Sequence, residues 1–317
     1  MPSPAVTVIT PSLNQGRFIG ATIESVRQQS YRPIVHRVYD GGSTDETPAV
    51  LARYRDGVDV ISEPDGGQAA AINRGLREAT TDIVAWINSD DVYLPGAIAT
   101  AVAYLESHPS CAMVYGNALY IDADGRVIGR YPTAPVSSLR DGCYICQPAT
   151  FMRREAVAAV GFLDPRLRFC MDYDLWLRLA ERYEIGRVDA ELAASRLHAA
   201  AKTVSQRLAF HREVVEMTER RLGAAPLTWL YGYAECLARA RLRIEAETGV
   251  GYVVVRLAAV TLSLALAARY HRRLGRADIA AIIGRFRARV PPATPGDVGH
   301  ERTPSGAPLP KGTRWHK

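Results

Sequence analysis

The feature that most constrains this chain is a fourfold alternation of short β-branched runs with helical stretches, in which the runs close on polar residues. Val6 to Thr10 precedes Phe18 to Gln29, His36 to Asp40 precedes Thr47 to Arg55, Val60 to Glu63 precedes Gln68 to Ala79, and Ile83 to Asn88 precedes Pro95 to Ser107. Strands alternating with helices of this length imply βαβ units, an α/β chain with a mostly parallel sheet, and ligands at the carboxyl ends of the strands. Ala112 to Asp122 reads as a further strand, Gly125 to Gly142 as a turn-rich excursion, and a second helix-forming block begins near Arg153. From Val204 onward the pattern is helical only: Val204 to Leu222, Leu227 to Glu247, Tyr252 to Arg273 and Ala277 to Val290. The expected organisation is a βα domain over 1–203, a helical region over 204–290, and a proline- and glycine-rich tail over 291–317 that has no periodicity and should be disordered.

Hydrophobic residues at 48% and charged residues at 23% in 317 residues exclude a miniprotein and a wholly disordered chain. The net charge is +6, and all but three of the 39 basic residues are arginine, which prefers planar phosphate or carboxylate partners. Charge alone fits an anionic substrate, an anionic membrane surface or nucleic acid equally. The five cysteines are an odd number, and the opening MPSPAVTVIT lacks a basic n-region and a long apolar run, so the expectation is a reduced, cytoplasmic chain. Cys143 and Cys146 form a lone C-x-x-C with no second pair to close a zinc site.

Val253 to Ala268, VVVRLAAVTLSLALAA, gains about −3 kcal/mol of insertion energy from Val and Leu, which Arg256 at about +3 kcal/mol nearly cancels. It is also short of the ~20 residues a span needs. A buried or dimer-forming helix fits it best, a peripheral membrane helix next, and a span least.

The loops carry the chemistry. Thr10, Pro11 and Ser12 close the first strand and Asp40 the second, where two glycines admit close approach to its carboxylate. In the following loop Ser43 and Glu46 have capping-box spacing. Neither G-x-G-x-x-G nor the Walker pattern is present, which removes the phosphate cradle of dinucleotide and P-loop enzymes. SEPDGGQAAAINRGL again places an acid, Asp65, beside glycines, with Asn73 on the next helix. The fourth strand ends in WINSDDVYLPGA, where Asp90 and Asp91 would repel unless a cation or hydrogen-bond donors compensate. A hard divalent cation that keeps substrate phosphates in its shell satisfies that need, and a plain turn with a helix cap is the alternative.

Taken together, TPSLNQ, YDGGSTDET, SEPDGGQAAAINRGL, WINSDDVYLPGA, ICQPATFMRRE and MDYDLWLRLA, in this order over residues 5 to 203, resemble the family 2 inverting glycosyltransferases of GT-A fold, in the bacterial branch with a W-x-N-S-D-D motif. The resemblance implies a Rossmann-like sheet flanked by helices and transfer of a sugar from a nucleoside-diphosphate sugar, UDP or dTDP type, to a carbohydrate or lipid-linked acceptor hydroxyl in cell-surface glycan synthesis. Thr10, Pro11 and Ser12 would line the nucleoside pocket, Asp40 would bind the base, and Asp65 and Asn73 would complete the donor site. Asp91 would hold Mg2+ or Mn2+, with Asp90 on the ribose or sugar. His198, in RLHAAAKT, would reach the metal or diphosphate. Asp172 would be the catalytic base, although Met171 stands where relatives carry Glu, and Gln147 and Pro148 would shape the sugar or acceptor site. Nucleic acid is not an implied partner. The helical region would serve peripheral membrane contact or a homodimer. The rival is a catalytically inactive GT-A module that binds nucleotide sugar for assembly; a pyrophosphorylase would need a Gly-rich loop that TPSLNQGRF does not supply.

Overall fold

A computed structural model of the chain describes residues 3–244, 248–270 and 275–287, and divides into two compact units. Met1–Val136 with Tyr144–Leu197 make the first, and Ser137–Cys143 with the stretch from His198 make the second. The tail 291–317, together with Arg272 and Arg273, lies outside the described residues.

In the first unit β1 (Val6–Ser12), β2 (Ile34–Asp40), β3 (Asp59–Ser62) and β4 (Ile83–Trp86) form the parallel half of one nine-stranded sheet, in the order β3-β2-β1-β4. Every residue of β1 and β4 is buried, as in a sheet covered on both faces; β4 is wholly apolar, and the threonines of β1 bond Thr81 and His36. Helices α1 (Gly16–Arg27), α2 (Thr47–Leu51) and α3 (Gln68–Glu78) make the crossovers. The α1 face Phe18, Ile19, Ile23 and Val26 is buried, and α3 lies close enough to β1 and β2 that Gly75 leaves no space for a methyl group beside Ile9 and Tyr39.

Beyond β4 come β5 (Val92–Tyr93), α4 (Ala97–Ser107), β6 (Cys111–Ile121), β7 (Val127–Arg130), β8 (Thr150–Arg153), α5 (Arg154–Ala159), α6 (Met171–Ala180) and β9 (Glu184–Arg196). They extend the sheet as β8-β6-β9-β5, with β7 on the flank of β6; β8 runs antiparallel to β4 and β6, while β9 runs parallel to β6. The fold is the expected α/β architecture with a helical region following it.

Three local expectations change. The long strand β9 was not anticipated, because EIGRVDAELAASR mixes charges with alanines and offers weak β-propensity; thirteen residues of pairing with β6 and β5 override that composition. The residues just before the helix-forming block, assigned to no element by the sequence pattern, form the strand β8, while the block itself begins at Arg154 with α5, as expected. The capping box does not form: α2 starts only at Thr47, and the Ser43 hydroxyl instead donates to Asp40 Oδ1 and accepts the Asn14 N–H at 2.7 Å.

The second unit contains α7 (Lys202–Ser205), α8 (Arg207–Leu222), α9 (Leu227–Leu242), α10 (Gly249–Tyr270) and α11 (Arg276–Arg287). Gly223, at φ +77°, takes the left-handed conformation that ends α8. Helices α9 and α10 pack through Tyr231, Ala234 and Ala259, with Val260, Leu262 and Leu266 half-covered at the margin.

Candidate active site

The four parallel strands deliver their carboxyl ends to one edge. Ser12, Asp40 and Ser62 are register partners across β1, β2 and β3. The Asp40 carboxylate is buried and well supplied with donors: Oδ2 accepts Ser62 Oγ at 2.7 Å and the Ser43 N–H at 3.1 Å, and Oδ1 accepts Ser43 Oγ. Asp65 caps the next turn, accepting the Gly67 N–H at 2.7 Å, and its carboxylate lies against Gly41, where an added Cβ would come within 3.0 Å. Between these acids opens a cleft of about 180 Å³ lined by Tyr39, Asp40, Glu63, Asp65, Ala70 and Arg74 among others. A cleft of this size takes part of a nucleotide rather than all of one.

The loop after β1 is fixed from the loop after β2. Asn14, at φ +54°, donates its N–H to Ser43 Oγ and accepts the Thr44 N–H at 2.9 Å; the Gln15 N–H reaches Thr47 Oγ1, and the Gly16 N–H reaches Asp45 Oδ2. Asp45 therefore supplies the missing acceptor at the α1 N-terminus from a separate segment. Thr10 turns inward to His36 Nε2 at 2.9 Å, and burial drives the His36 imidazole down to about 4. Pro11 is buried in β1; Ser12 is buried as well, and its Oγ has no hydrogen-bond partner.

Beyond β4 the acidic pair is wired to the rest of the unit. The buried Asp91 accepts the Arg196 N–H at 2.9 Å on Oδ1 and Asn88 Nδ2 at 3.2 Å on Oδ2, while its carbonyl accepts Thr22 Oγ1 at 2.7 Å. Asn88 in turn accepts Gln68 Nε2 at 2.8 Å. Burial, reinforced by the neighbouring Asp90 carboxylate, pushes the Asp91 carboxyl well above the ordinary range, against the pull of these hydrogen bonds. Asp90 is half-buried, and its carbonyl accepts Arg196 Nε at 2.8 Å. Arg196 also donates to the Asp122 carbonyl at 2.8 Å and stacks over Phe18, so its guanidinium ties the acidic turn to the end of β6. Sequence reasoning gave this arginine no role. It opens the R-x-H of RLHAAAKT, whose His alone was given a function, and its bonds to the acidic turn follow from its place at the end of β9.

Asp172 lies in the first turn of α6, half-buried, where the helix dipole favours a carboxylate, and its Oδ1 accepts the Tyr173 N–H at 2.8 Å. Cys170, not Asp172, is the N-cap residue. Trp176 of α6 stacks on Trp86 of β4 at 5.4 Å between centroids, anchoring the helix to the strand that leads into Asp90 and Asp91. Gln147 Nε2 donates to the Trp86 carbonyl at 2.7 Å, and both Gln147 Oε1 and Trp176 Nε1 are buried with no hydrogen-bond partner. Asp174 is occupied elsewhere, accepting Arg178 Nε at 2.8 Å. Asn73 is buried on α3, and both ends of its amide bind the Leu163 backbone at 2.8 and 2.9 Å. His198 is the first residue of the second unit's helical stretch, and its carbonyl accepts the Ala201 N–H at 2.9 Å.

Among the described residues no three His, Cys, Asp or Glu side chains form a metal cage. Two adjacent carboxylates at a strand end nonetheless fit a hard divalent cation whose remaining ligands are diphosphate oxygens and water. The donors are all oxygens, and a cation there would relieve the repulsion within the pair.

An acidic strand end on such a sheet is a ligand site of α/β folds, and similarity to known proteins gives the class. The family profile described as Glycosyl transferase family 2 matches residues 7–161. An uncharacterized glycosyltransferase of Mycobacterium tuberculosis is 33% identical over 183 residues, which cover 56% of this chain and 70% of the relative. The chain belongs to glycosyl transferase family 2. Among rickettsial glycosyltransferases it spans less: 66% of the length of the Rickettsia prowazekii relative, at 28% identity, and 32% of that of Rickettsia bellii, at 25%. The GT-A fold is shared with Staphylococcus aureus TarS in complex with UDP-GlcNAc, at TM-score 0.57 and 16% identity over 81% of this chain and 80% of that one. It is also shared with a mannosyltransferase from Pyrobaculum calidifontis in complex with GDP-Man and Mn2+, at TM-score 0.52 and 18% identity over 89% and 79%.

Proposed function

We propose that this chain is an inverting, metal-dependent glycosyltransferase of the W-x-N-S-D-D branch. It moves a sugar from a UDP- or dTDP-type donor to a hydroxyl of a carbohydrate or lipid-linked acceptor in bacterial cell-surface glycan synthesis, on the cytoplasmic side. The observation that carries this reading is the Asp90–Asp91 pair at the carboxyl end of β4, held by Arg196, with Asp172 on a helix stacked against that same strand. The nucleotide-sugar complexes of TarS and of the archaeal mannosyltransferase support the donor class, and the Mn2+ of the latter supports the metal.

Asp40 and Asp65 flank the cleft that takes part of the nucleoside, and Thr10, Pro11 and Ser12, at the end of β1 beside Asp40, would line the rest of its pocket. Asp90 orients the ribose or sugar. Asp91 would hold Mg2+ or Mn2+, which would supply Lewis-acid stabilisation of the negative charge on the departing diphosphate. Gln147 and Pro148 shape the sugar or acceptor site, where the unsatisfied Gln147 Oε1 is an acceptor for a hydroxyl. Asp172 takes the proton from the attacking hydroxyl while that oxygen's electron pair forms the new bond to the anomeric carbon, and the bond from that carbon to the diphosphate breaks with its electrons going to the leaving oxygen. A single displacement of this kind inverts the anomeric centre.

The test is turnover of a panel of nucleotide sugars by the full chain, with Mn2+ or with excess chelator, for the native protein and for Asp91→Ala. Slow hydrolysis of one donor, stimulated by metal and lost in Asp91→Ala, is the expected result. Donor binding with no turnover of any nucleotide sugar would favour the binding module, and undiminished turnover in chelator would remove the metal role.

A further inference from the structure

We propose that the second unit docks on an anionic lipid surface through the outer face of α10, with α10 lying in the interface plane rather than crossing it. This inference does not depend on the enzyme reading, since it concerns a different unit and a different ligand.

Helix α10 is 22 residues long, and an 18-residue window within it has a mean hydropathy of 2.0, of which only 28% is buried. Its two sides differ. One side carries Val255, Arg256, Ala259, Ser263 and Ala267, all buried. The other exposes Val250 at 82%, Val253 at 47% and Leu257 at 53%, with Val254 beside them. The spacing 250, 253, 254, 257 is that of one helical stripe, so these side chains form a continuous apolar ridge. On α11, Ile279 and Ile283 are also exposed, one turn apart. A soluble surface rarely leaves so many large aliphatic groups in register without a partner.

Three observations select the partner. The first concerns Arg256, the residue whose charge most disfavoured a membrane role in the sequence. It is not on the outer face: Arg256 is buried, donates to Tyr252 Oη at 3.0 Å and lies over the rings of Tyr231 and Tyr252. Its charge is therefore held on the protein side, and the ridge itself is uncharged. The second is the basic run that follows the ridge. Arg269 is exposed at the end of α10, and the sequence from 269 to 289 adds Arg272, Arg273, Arg276, Arg285, Arg287 and Arg289 against one acid, Asp278. Asp278 is turned back to the Gly275 N–H at 2.8 Å. An apolar ridge continued by a cationic segment matches an anionic bilayer surface, where each arginine adds about fivefold to partitioning. A second copy of the chain offers no acid on its own ridge for these arginines to pair with. The third observation excludes a span. The inner side of α10 is packed on α9, which carries Glu235, Arg239 and Arg241, and the Arg239–Glu235 pair at 3.0 Å is nearly buried. Threading α10 through a bilayer would strip it from α9 or take those charges into hydrocarbon.

The experiment is co-flotation of the full chain with vesicles of phosphatidylcholine alone, or with 30% phosphatidylglycerol, at about 50 and 500 mM salt, beside light-scattering mass measurement of the free protein. Binding to the anionic vesicles at low salt, reduced at least tenfold at high salt and absent on the neutral ones, is expected, because exposed charges are screened within a Debye length. Val253→Asp combined with Leu257→Asp should lower vesicle binding more than tenfold with an unchanged melting temperature. Should that pair unfold, Val250→Asp at the most exposed position gives the same reading, and Arg269→Glu should weaken anionic binding alone. The proposal fails if the chain floats with no vesicle. It also fails if it floats equally with both at either salt, or resists extraction by high salt as a span would. A stable dimer that the Asp substitutions split would assign the ridge to a second copy instead.

Discussion

Asp174→Ala removes the carboxylate that receives Arg178 Nε at 2.8 Å, in a pair whose side chains are only 3% and 12% exposed. The other guanidinium nitrogens of Arg178 hold the Val160 and Phe162 carbonyls, so the arginine cannot swing into solvent without dropping two backbone acceptors. Loss of one partner from a buried pair costs about 3–5 kcal/mol, because the remaining charge stays desolvated and uncompensated. For a unit of this size that corresponds to a fall of roughly 6–20 °C in melting temperature. Asp174→Asn keeps an acceptor for Arg178 and should cost about 1–2 kcal/mol. Urea unfolding of the full chain, followed by tryptophan fluorescence, measures both, and nucleotide-sugar affinity per folded molecule should stay at the native level in each. An Ala variant within about 0.5 kcal/mol of native stability would refute the reasoning, as would one that folds normally yet loses donor affinity.

Three further outcomes follow from the same structure. His36 is buried and held neutral at about 4 against 6.5 when unfolded, so the unfolded chain binds the extra proton; its contribution is complete above about pH 6.5, shrinks as pH falls toward 4, and amounts to about 3 kcal/mol. His36→Gln should flatten the stability profile between those two pH values, and an unchanged acid slope would contradict the assignment. Gly75→Ala places a methyl within 2.9 Å of Ile9 and Tyr39 atoms, which should cost about 1–3 kcal/mol in urea unfolding; native stability in that variant would show that α3 can move away from β1. Arg196→Met should weaken metal-stimulated donor binding measured by calorimetry by more than tenfold, since the Asp90 carbonyl loses its guanidinium; unchanged affinity would show that the turn holds itself.

How much of this was legible in the sequence follows from what each residue's neighbours are. The parallel half of the sheet could be read because a strand buried on both faces is a nearly uninterrupted apolar run, as in Val6–Ser12 and Ile83–Trp86, and its polar terminators mark the ligand edge. Strand β9 could not, since its stability comes from pairing with β6 more than seventy residues away in sequence rather than from its own composition. The capping box at Ser43 failed for the same reason: its hydroxyl donates to Asp40 and accepts the Asn14 N–H, and neither partner lies within the helix it was expected to start. Asp174, two positions after Asp172, is buried against Arg178, a stability role that neither composition nor spacing reveals. Asn73, expected in the donor site, binds Leu163 backbone on both sides, a long-range pairing that no local pattern encodes.

The measurement that bears most directly on the central claim is donor turnover by Asp172→Asn, with the nucleotide sugar that the panel identifies and in saturating metal. Asn keeps the size of the side chain and its acceptor for the Tyr173 N–H, but cannot take a proton from the attacking hydroxyl. Turnover should fall by roughly 10² to 10⁴, with donor affinity and melting temperature at native values. Turnover near the native rate, or an equal loss per folded molecule in Asp174→Asn, would contradict it.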